Sequence, residues 1–193
     1  MKHVTLPASD EAIRALRVGD EVLVTGTMIT ARDAAHKHLV ENDDAEAGKT
    51  LQGSMIYHCG PVVAKENGVY RFVSAGPTTS EREEPYEAAV IERYGVRGVI
   101  GKGGMGQRTL DALGKFGAVY LHAIGGLAVL LTRSVVSVKG VMKLQEFGVP
   151  EAMWVIEVKD FPAVVTMDSH GKSLHAGMLA SSAARLQELL KAR

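Results

Sequence analysis

Short apolar runs alternate along this chain with turns that open helices, and one Asn-Gly pair breaks the alternation. EVLVTG (21–26), MIYHCG (55–60), VRGVIG (96–101) and AVYLHA (118–123) read as strands. Thr30 can cap a helix running to about Val40, with Asp33 three residues on in the capping-box position. Ser80 with Glu83 can open another, through about Tyr94, and GQRTLDALGKFG (106–117) is a third, ended by glycine. Alone, this order would give a pure strand-helix-strand wind. Asn67-Gly68 lies between VVAKE (62–66) and VYRFVSA (69–75), and such a pair between apolar runs marks a hairpin. MWVIEVKDF (153–161) and AVVTMD (163–168) add strands, and GLAVLLTR (126–133) suits a short helix or a buried strand. The expected fold is α/β, with a mixed sheet, open to β layered on β, and helices packed outside. ENDDAEAGK (41–49) reads as a solvated loop or helix end. From about Ser173 the tail reads as an amphipathic helix, with Leu174, Met178, Leu186, Leu189 and Leu190 at apolar spacing.

A length of 193 residues suits one domain, residues 1–193. The 22 basic and 22 acidic side chains cancel, and no basic stripe is visible, which argues against a nucleic-acid or membrane-surface partner. The single cysteine, Cys59, cannot make an internal disulfide or a thiolate metal site, so a reducing compartment is expected. The N-terminus lacks the apolar core of a signal peptide. The longest apolar stretch, AIGGLAVLL (123–131), is far short of the roughly 20 residues a bilayer needs. These readings predict a cytoplasmic protein.

Three strand-to-helix junctions share a composition: TGTMITARD (25–33), AGPTTSER (75–82) and IGKGGMGQR (100–108). Each has glycine, a cation at or beside the turn, and a helix to follow. A helix N-terminus offers unpaired N–H groups and partial positive charge. Arg32, Arg82 and Lys102 add formal charges, and two arginines suit the two ends of a small dicarboxylate. Thr27, Thr78 and Thr79 supply hydroxyls. The competing reading makes Thr30, Thr78 and Ser80 ordinary caps and the arginines surface residues. Gly101-Lys102-Gly103-Gly104-Met105-Gly106 matches G-x-G-x-x-G, but the acidic residue expected about 20 positions later is missing, so the dinucleotide fingerprint is incomplete. His36 and His38 are two apart on a predicted helix and make a poor metal pair. His58, His122, His170 and His175 stand isolated in sequence and read as structural or surface residues. Cys59 reads as a buried small residue, Asp160 and Asp168 as turn residues, and Trp154 as core or interface.

TGTMITARDAAHKHL (25–39), YHCGPVV (57–63), GPTTSER (76–82), GVIGKGGM (98–105) and VKDFPAVVTMDSHG (158–171) occur in that order. Over about residues 5–172 the chain resembles the β subunit, or C-terminal domain, of class I iron–sulfur fumarate hydratases and the related L-tartrate dehydratases. The resemblance implies a swivelling β/β/α domain. It implies reversible addition of water across the double bond of a small unsaturated dicarboxylate. It implies an α subunit carrying a 4Fe-4S cluster on three cysteines, in an α2β2 assembly. With one cysteine, this chain would be the half without the cluster.

Position by position, Arg32 matches a substrate-contacting arginine. Thr78 matches a threonine placed near the carbon that gains or loses the proton, and Arg82 a carboxylate-binding arginine. Lys102 matches an active-site lysine. Thr27 and Asp33 fall within the first motif, where they would orient Arg32. Thr79, Gly101 and Gly103 complete the other two loops. The chain departs from the pattern at Glu83, where the family often has methionine, and at Cys59, where it commonly has a small non-thiol residue. An isolated threonine hydroxyl is a weak base. It needs neighbouring cations, or a partner carboxylate or histidine to take its proton onward. L-tartrate or mesaconate in place of fumarate, a non-catalytic dicarboxylate-binding module and a nucleotide-binding enzyme are the alternatives.

Overall fold

The computed structural model describes residues 1–191. Its main sheet joins seven strands in the order β1 (Lys2–Thr5), β2 (Glu21–Thr30), β3 (Met55–Tyr57), β6 (Gly98–Gly101), β7 (Val119–His122), β9 (Met153–Met167) and β8 (Val135–Met142). β1, β2, β3, β6 and β7 run parallel, while β9 is antiparallel to β2, β7 and β8. The hairpin centred on Asn67-Gly68 forms a separate pair, β4 (Val62–Glu66) and β5 (Val69–Ser74). The result is the expected α/β architecture: a mixed sheet with helices around it.

MWVIEVKDF and AVVTMD form one strand and not two, although Pro162 lies inside it. β9 keeps β2 along one edge, from Val155 to Val164. On its other edge it pairs first with β8 and then, from Val164, with β7. The pairings β2–β3–β6–β7–β9–β2 therefore close on themselves. Closure leaves few open edges, and it buries both faces of the short central strands. Met55 and Tyr57 face one core with Met28, Leu121, Trp154, Ile156 and Phe161. Ile56 faces the other with Leu39, Leu51, Val90, Ile91 and Leu113. Strands buried on both sides read as continuous apolar runs, which is why they stand out in the sequence.

The second core is the contact with α2 (Asp33–Glu41), α3 (Ala45–Leu51), α4 (Glu84–Tyr94) and α5 (Gln107–Phe116). ENDDAEAGK supplies α3, capped by Asp44, which accepts from the Ala47 N–H at 3.0 Å. On the other side Tyr70 and Phe72 of the hairpin stand edge-on to the buried Trp154, at 5.1 and 5.9 Å. α1 (Asp10–Arg14), α6 (Ala128–Thr132) and α7 (Leu144–Phe147) are short connectors. The tail is helical as expected, α8 (Leu174–Lys191), but none of its residues is buried. β2, β3, β6 and β7 all end at one edge of the sheet, and the segments that follow them carry Arg32, His58, Lys102 and Ile124. The carboxyl edge of parallel strands is where α/β sheets place ligands.

Candidate functional site

Both capping boxes expected from the sequence resolve differently in three dimensions. Thr30 is still on β2, and its hydroxyl accepts from the Trp154 N–H. The cap of α2 is Arg32, in extended conformation, so Asp33 is the first helical residue. Ser80 begins a 3-10 turn, Ser80–Glu83, and its hydroxyl points into the core. In both places tertiary partners outcompete the local cap.

The three loops do converge. Thr78 donates its N–H to the His58 carbonyl at 2.7 Å, and Lys102 donates its N–H to the Thr78 carbonyl at 3.1 Å. Ser80 returns a bond to the Lys102 carbonyl at 3.0 Å, Thr79 bridges Lys102, and Cys59 bridges Pro77. The segment 76–80 is thereby sewn between the ends of β3 and β6. Gly101 is required there, since a Cβ would stand 1.9 Å from Ser80 Oγ. Gly103 has φ +87° beside the Thr79 methyl. Gly60 leaves room for Arg32, whose Nη1 would be 2.7 Å from a Cβ at that position.

Asp33 connects the two arginines, with Oδ2 at 3.3 Å from Arg82 Nη2 and 4.0 Å from Arg32 Nη2. Glu151, which the sequence did not single out, holds Arg32 Nη1 at 3.3 Å and accepts from the Ala34 N–H at 3.0 Å. Two carboxylates thus hold the two arginines, while Lys102 joins the group through its backbone. Arg32 Nε and the Thr78 hydroxyl oxygen are buried without a partner. Buried polar atoms are rarely left so. Thr27 is not part of this group. Its hydroxyl accepts from Lys139 and donates to Glu157, both at 2.7 Å, on the exposed side of β2.

Two of the three helix N-termini, those of α2 and α5, are not free for an anion. Glu151 occupies that of α2. Glu84 occupies that of α5, accepting from the Gly106 N–H at 2.7 Å and from the Thr109 hydroxyl at 2.7 Å. The place where G-x-G-x-x-G would cradle a phosphate therefore already holds a carboxylate. A cleft of about 720 Å³ lies between Gly103–Gln107 and the start of α8, but Arg32, Thr78, Arg82 and Lys102 do not line it.

Beneath the loops lies a buried polar cluster. Glu87 Oε2 is 3.0 Å from His36 Nε2 and 2.9 Å from His58 Nε2. His58 Nδ1 meets Ser80 Oγ at 2.9 Å, and the Tyr120 hydroxyl donates to Ser80 at 2.8 Å. In the sequence His58 reads as isolated, His36 as half of a poor metal pair and Ser80 as a cap, and Glu87 and Tyr120 do not stand out, because the five come from four separate segments. Burial opposes charge on each of them, yet the two imidazoles hold the Glu87 carboxyl down at about 2, and Glu87 raises His36. Burial lowers His58 and pushes Glu83 up to about 7. Cys59 is buried, and its thiol is pushed up to about 12 by desolvation.

The family model described as Fumarase C-terminus matches residues 1–178. The chain belongs to the fumarase C-terminus family. It is 53% identical over 183 residues to a Geobacillus stearothermophilus protein named as a class I fumarate hydratase, covering 94% of this chain and 35% of that one. This fumarase C-terminus chain thus spans about a third of that relative's length. It is 41% identical over 176 residues to the L(+)-tartrate dehydratase subunit beta of Escherichia coli strain K12, covering 91% of this chain and 87% of that subunit. A Methanocaldococcus jannaschii protein, also named as an L(+)-tartrate dehydratase subunit beta, is 40% identical over 193 residues, covering 98% of this chain and 99% of its own. Among the described residues of this family member, no helix is long and apolar enough to cross a membrane.

Proposed function

We propose that this chain is the β subunit of a two-subunit hydro-lyase that interconverts fumarate and L-malate. The observation that supports it best is the pair of buried, unpartnered polar atoms, Arg32 Nε and Thr78 Oγ1, both flanking the segment 58–60. A substrate carboxylate would accept from Arg32 Nε. Arg82, at the open side of the group, would take the second carboxylate as a two-point partner. Lys102, tied to Thr78 through the backbone, would favour negative charge as the Thr78 hydroxyl gives or takes a proton at the substrate carbon. Asp33 and Glu151 hold the arginines in place. Thr79 and the glycines shape the loop. Thr27 has no part in this reading.

A 4Fe-4S cluster does not fit this chain. Its one cysteine is buried and held as a thiol, and cluster iron requires several thiolates. The cluster in this reading belongs to an α subunit in an α2β2 assembly, and its open iron would act on the substrate as a Lewis acid. The cytoplasm is the compartment that suits such an enzyme. L-tartrate is the second reading of the substrate, favoured by the two β-subunit relatives that share most of this chain's length.

The test is to purify a tagged form of the chain anaerobically from its native host and to measure co-purifying protein, iron and hydration of fumarate together. A cysteine-bearing partner with about four irons per heterodimer and fumarate turnover exceeding tartrate turnover supports the reading. Greater turnover of tartrate transfers it to the second substrate. An iron-free assembly without hydro-lyase activity refutes it.

A further inference from the structure

The buried cluster under the loops has a direction that its chemistry dictates. The Gly104 N–H can only donate, so the Tyr120 oxygen accepts from it at 3.3 Å. The Tyr120 O–H then donates to Ser80, and the Ser80 O–H donates to His58 Nδ1. His58 is left with its proton on Nε2, which donates to Glu87 Oε2 at 2.9 Å. From the other side, the Arg32 carbonyl can only accept, so His36 Nδ1 carries a proton at 2.9 Å. His36 Nε2 faces the same Glu87 oxygen, so it needs a proton as well. His36 is therefore an imidazolium, and His58 is neutral. His36, His58, Ser80 and Glu87 are wholly inaccessible to solvent.

We propose that His36, Glu87, His58, Ser80 and Tyr120 are a positioning network for the site. The chain of bonds runs unbroken from the Gly104 amide to the Arg32 carbonyl, so it ties the third loop to the first. It also passes through Ser80 of the second loop and through His58, which grips that loop. His58 accepts the Thr78 N–H on its carbonyl, and Ser80 donates its N–H to the Lys102 carbonyl. None of the five is hydrogen-bonded to the Thr78 hydroxyl, which has no partner. The network therefore acts by fixing where Thr78, Lys102 and Arg32 stand, and not by carrying the reacting proton. Such a supporting shell is what a site on three loops needs, because loops do not hold a geometry by themselves. As a role in catalysis, this rests on the hydro-lyase reading.

The ring nitrogens test the network on the full chain, independently of activity. ¹⁵N spectra should show His36 protonated at both nitrogens near neutral pH and His58 protonated at Nε2 only, unchanged by EDTA. A neutral His36 would overturn it. So would signals that move when EDTA is added, which would mean that a metal ion joins His36, His58 and Glu87. The co-purified assembly tests the catalytic role. Tyr120→Phe removes one hydroxyl and Ser80→Ala breaks the chain at its middle. Each should lower kcat about 10- to 100-fold with a smaller change in KM, because Tyr120 and Ser80 lie at the Thr78–Lys102 end of the network, away from Arg32, and Arg82 is outside it. A Tyr120→Phe assembly that melts like the wild type and keeps its kcat would overturn the positioning role. Inactivity of the wild-type assembly on every dicarboxylate would sink the hydro-lyase reading and the catalytic part with it, while the ring-nitrogen result would still decide the network.

Discussion

Arg82 Nη2 lies 3.3 Å from Asp33 Oδ2, joining the GPTTSER loop to the first turn of α2. The same oxygen is 4.0 Å from Arg32 Nη2, so one carboxylate sets the spacing of two guanidinium groups. Arg82 and Asp33 are both nearly half exposed, and a pair so open to water stabilises a fold by only about 0–1 kcal/mol. Its value lies in geometry. Asp33→Asn should leave the melting temperature almost unchanged and lower kcat/KM about tenfold, as the arginines lose their common anchor. Thermal unfolding and steady-state rates on the co-purified assembly check both halves of this statement.

Arg82→Ala should separate activity from stability more sharply. The substrate carboxylate would lose its two-point charged partner. That costs about 2–4 kcal/mol of transition-state stabilisation, roughly 30- to 900-fold in kcat/KM. A variant with near-normal turnover would place the dicarboxylate elsewhere.

Thr78 offers a test with opposite signs. Its hydroxyl oxygen is buried and unpartnered, so Thr78→Val removes an unsatisfied group and should leave the fold as stable or slightly more so. If the hydroxyl moves the proton, kcat should fall about 10²- to 10⁴-fold. Thr78→Ser should restore most of it. Equal rates in the valine and serine variants would remove the hydroxyl from the chemistry.

Glu83 predicts a pH dependence of stability. Burial raises its carboxyl to about 7. Asp33 acts in the same direction, and His36 and Arg82 oppose it. Neither oxygen has a hydrogen-bond partner, and His58 Nδ1 is 3.9 Å away. A carboxyl raised in the folded state contributes stability that is complete below its usual value of about 4.5 and lost as pH rises through about 7. Glutamine does not titrate. Glu83→Gln should match the wild type at about pH 4 and gain on it steadily up to about pH 8, where the gap reaches a few kcal/mol. Urea unfolding across that range measures the gap, and parallel curves would show that the Glu83 carboxyl titrates alike in the folded and unfolded chain.

Gly101→Ala should be costly for a steric reason. The added methyl would meet Ser80 Oγ at 1.9 Å, Tyr120 Oη at 3.1 Å and His58 Nδ1 at 3.3 Å. Overpacking of this kind costs about 1–3 kcal/mol, a drop of several degrees in Tm for a chain of this size.

The sequence carried the elements whose signals are local. Doubly buried strands such as Val119–His122 show as apolar runs, Asn67-Gly68 shows as a turn, and α5 shows by its apolar spacing and its terminal Gly117. The loops that hold Arg32, Thr78, Arg82 and Lys102 were visible as strand-to-helix junctions rich in glycine and cations. β8 and α1 were not seen, and Pro162 made one long strand look like two. Thr27 looked like part of the first motif, but alternation along a strand turned it to Lys139 and Glu157.

The sequence by itself determined the α/β class, the order of the strands along the chain and which short motifs bear charge, because each depends on neighbours within a few residues. Only the tertiary structure decided what those residues meet. Parallel pairing brings the ends of β2, β3 and β6 to one edge, and β9 closes the ring of strands behind them. There Glu84 and Glu151 fill two helix N-termini, Asp33 links two arginines, and His36, His58, Ser80 and Glu87 join from separate segments. Hydrogen bonds and charges act through space, and a side chain that looks like a local cap will serve a distant partner when burial makes that bond the stronger one.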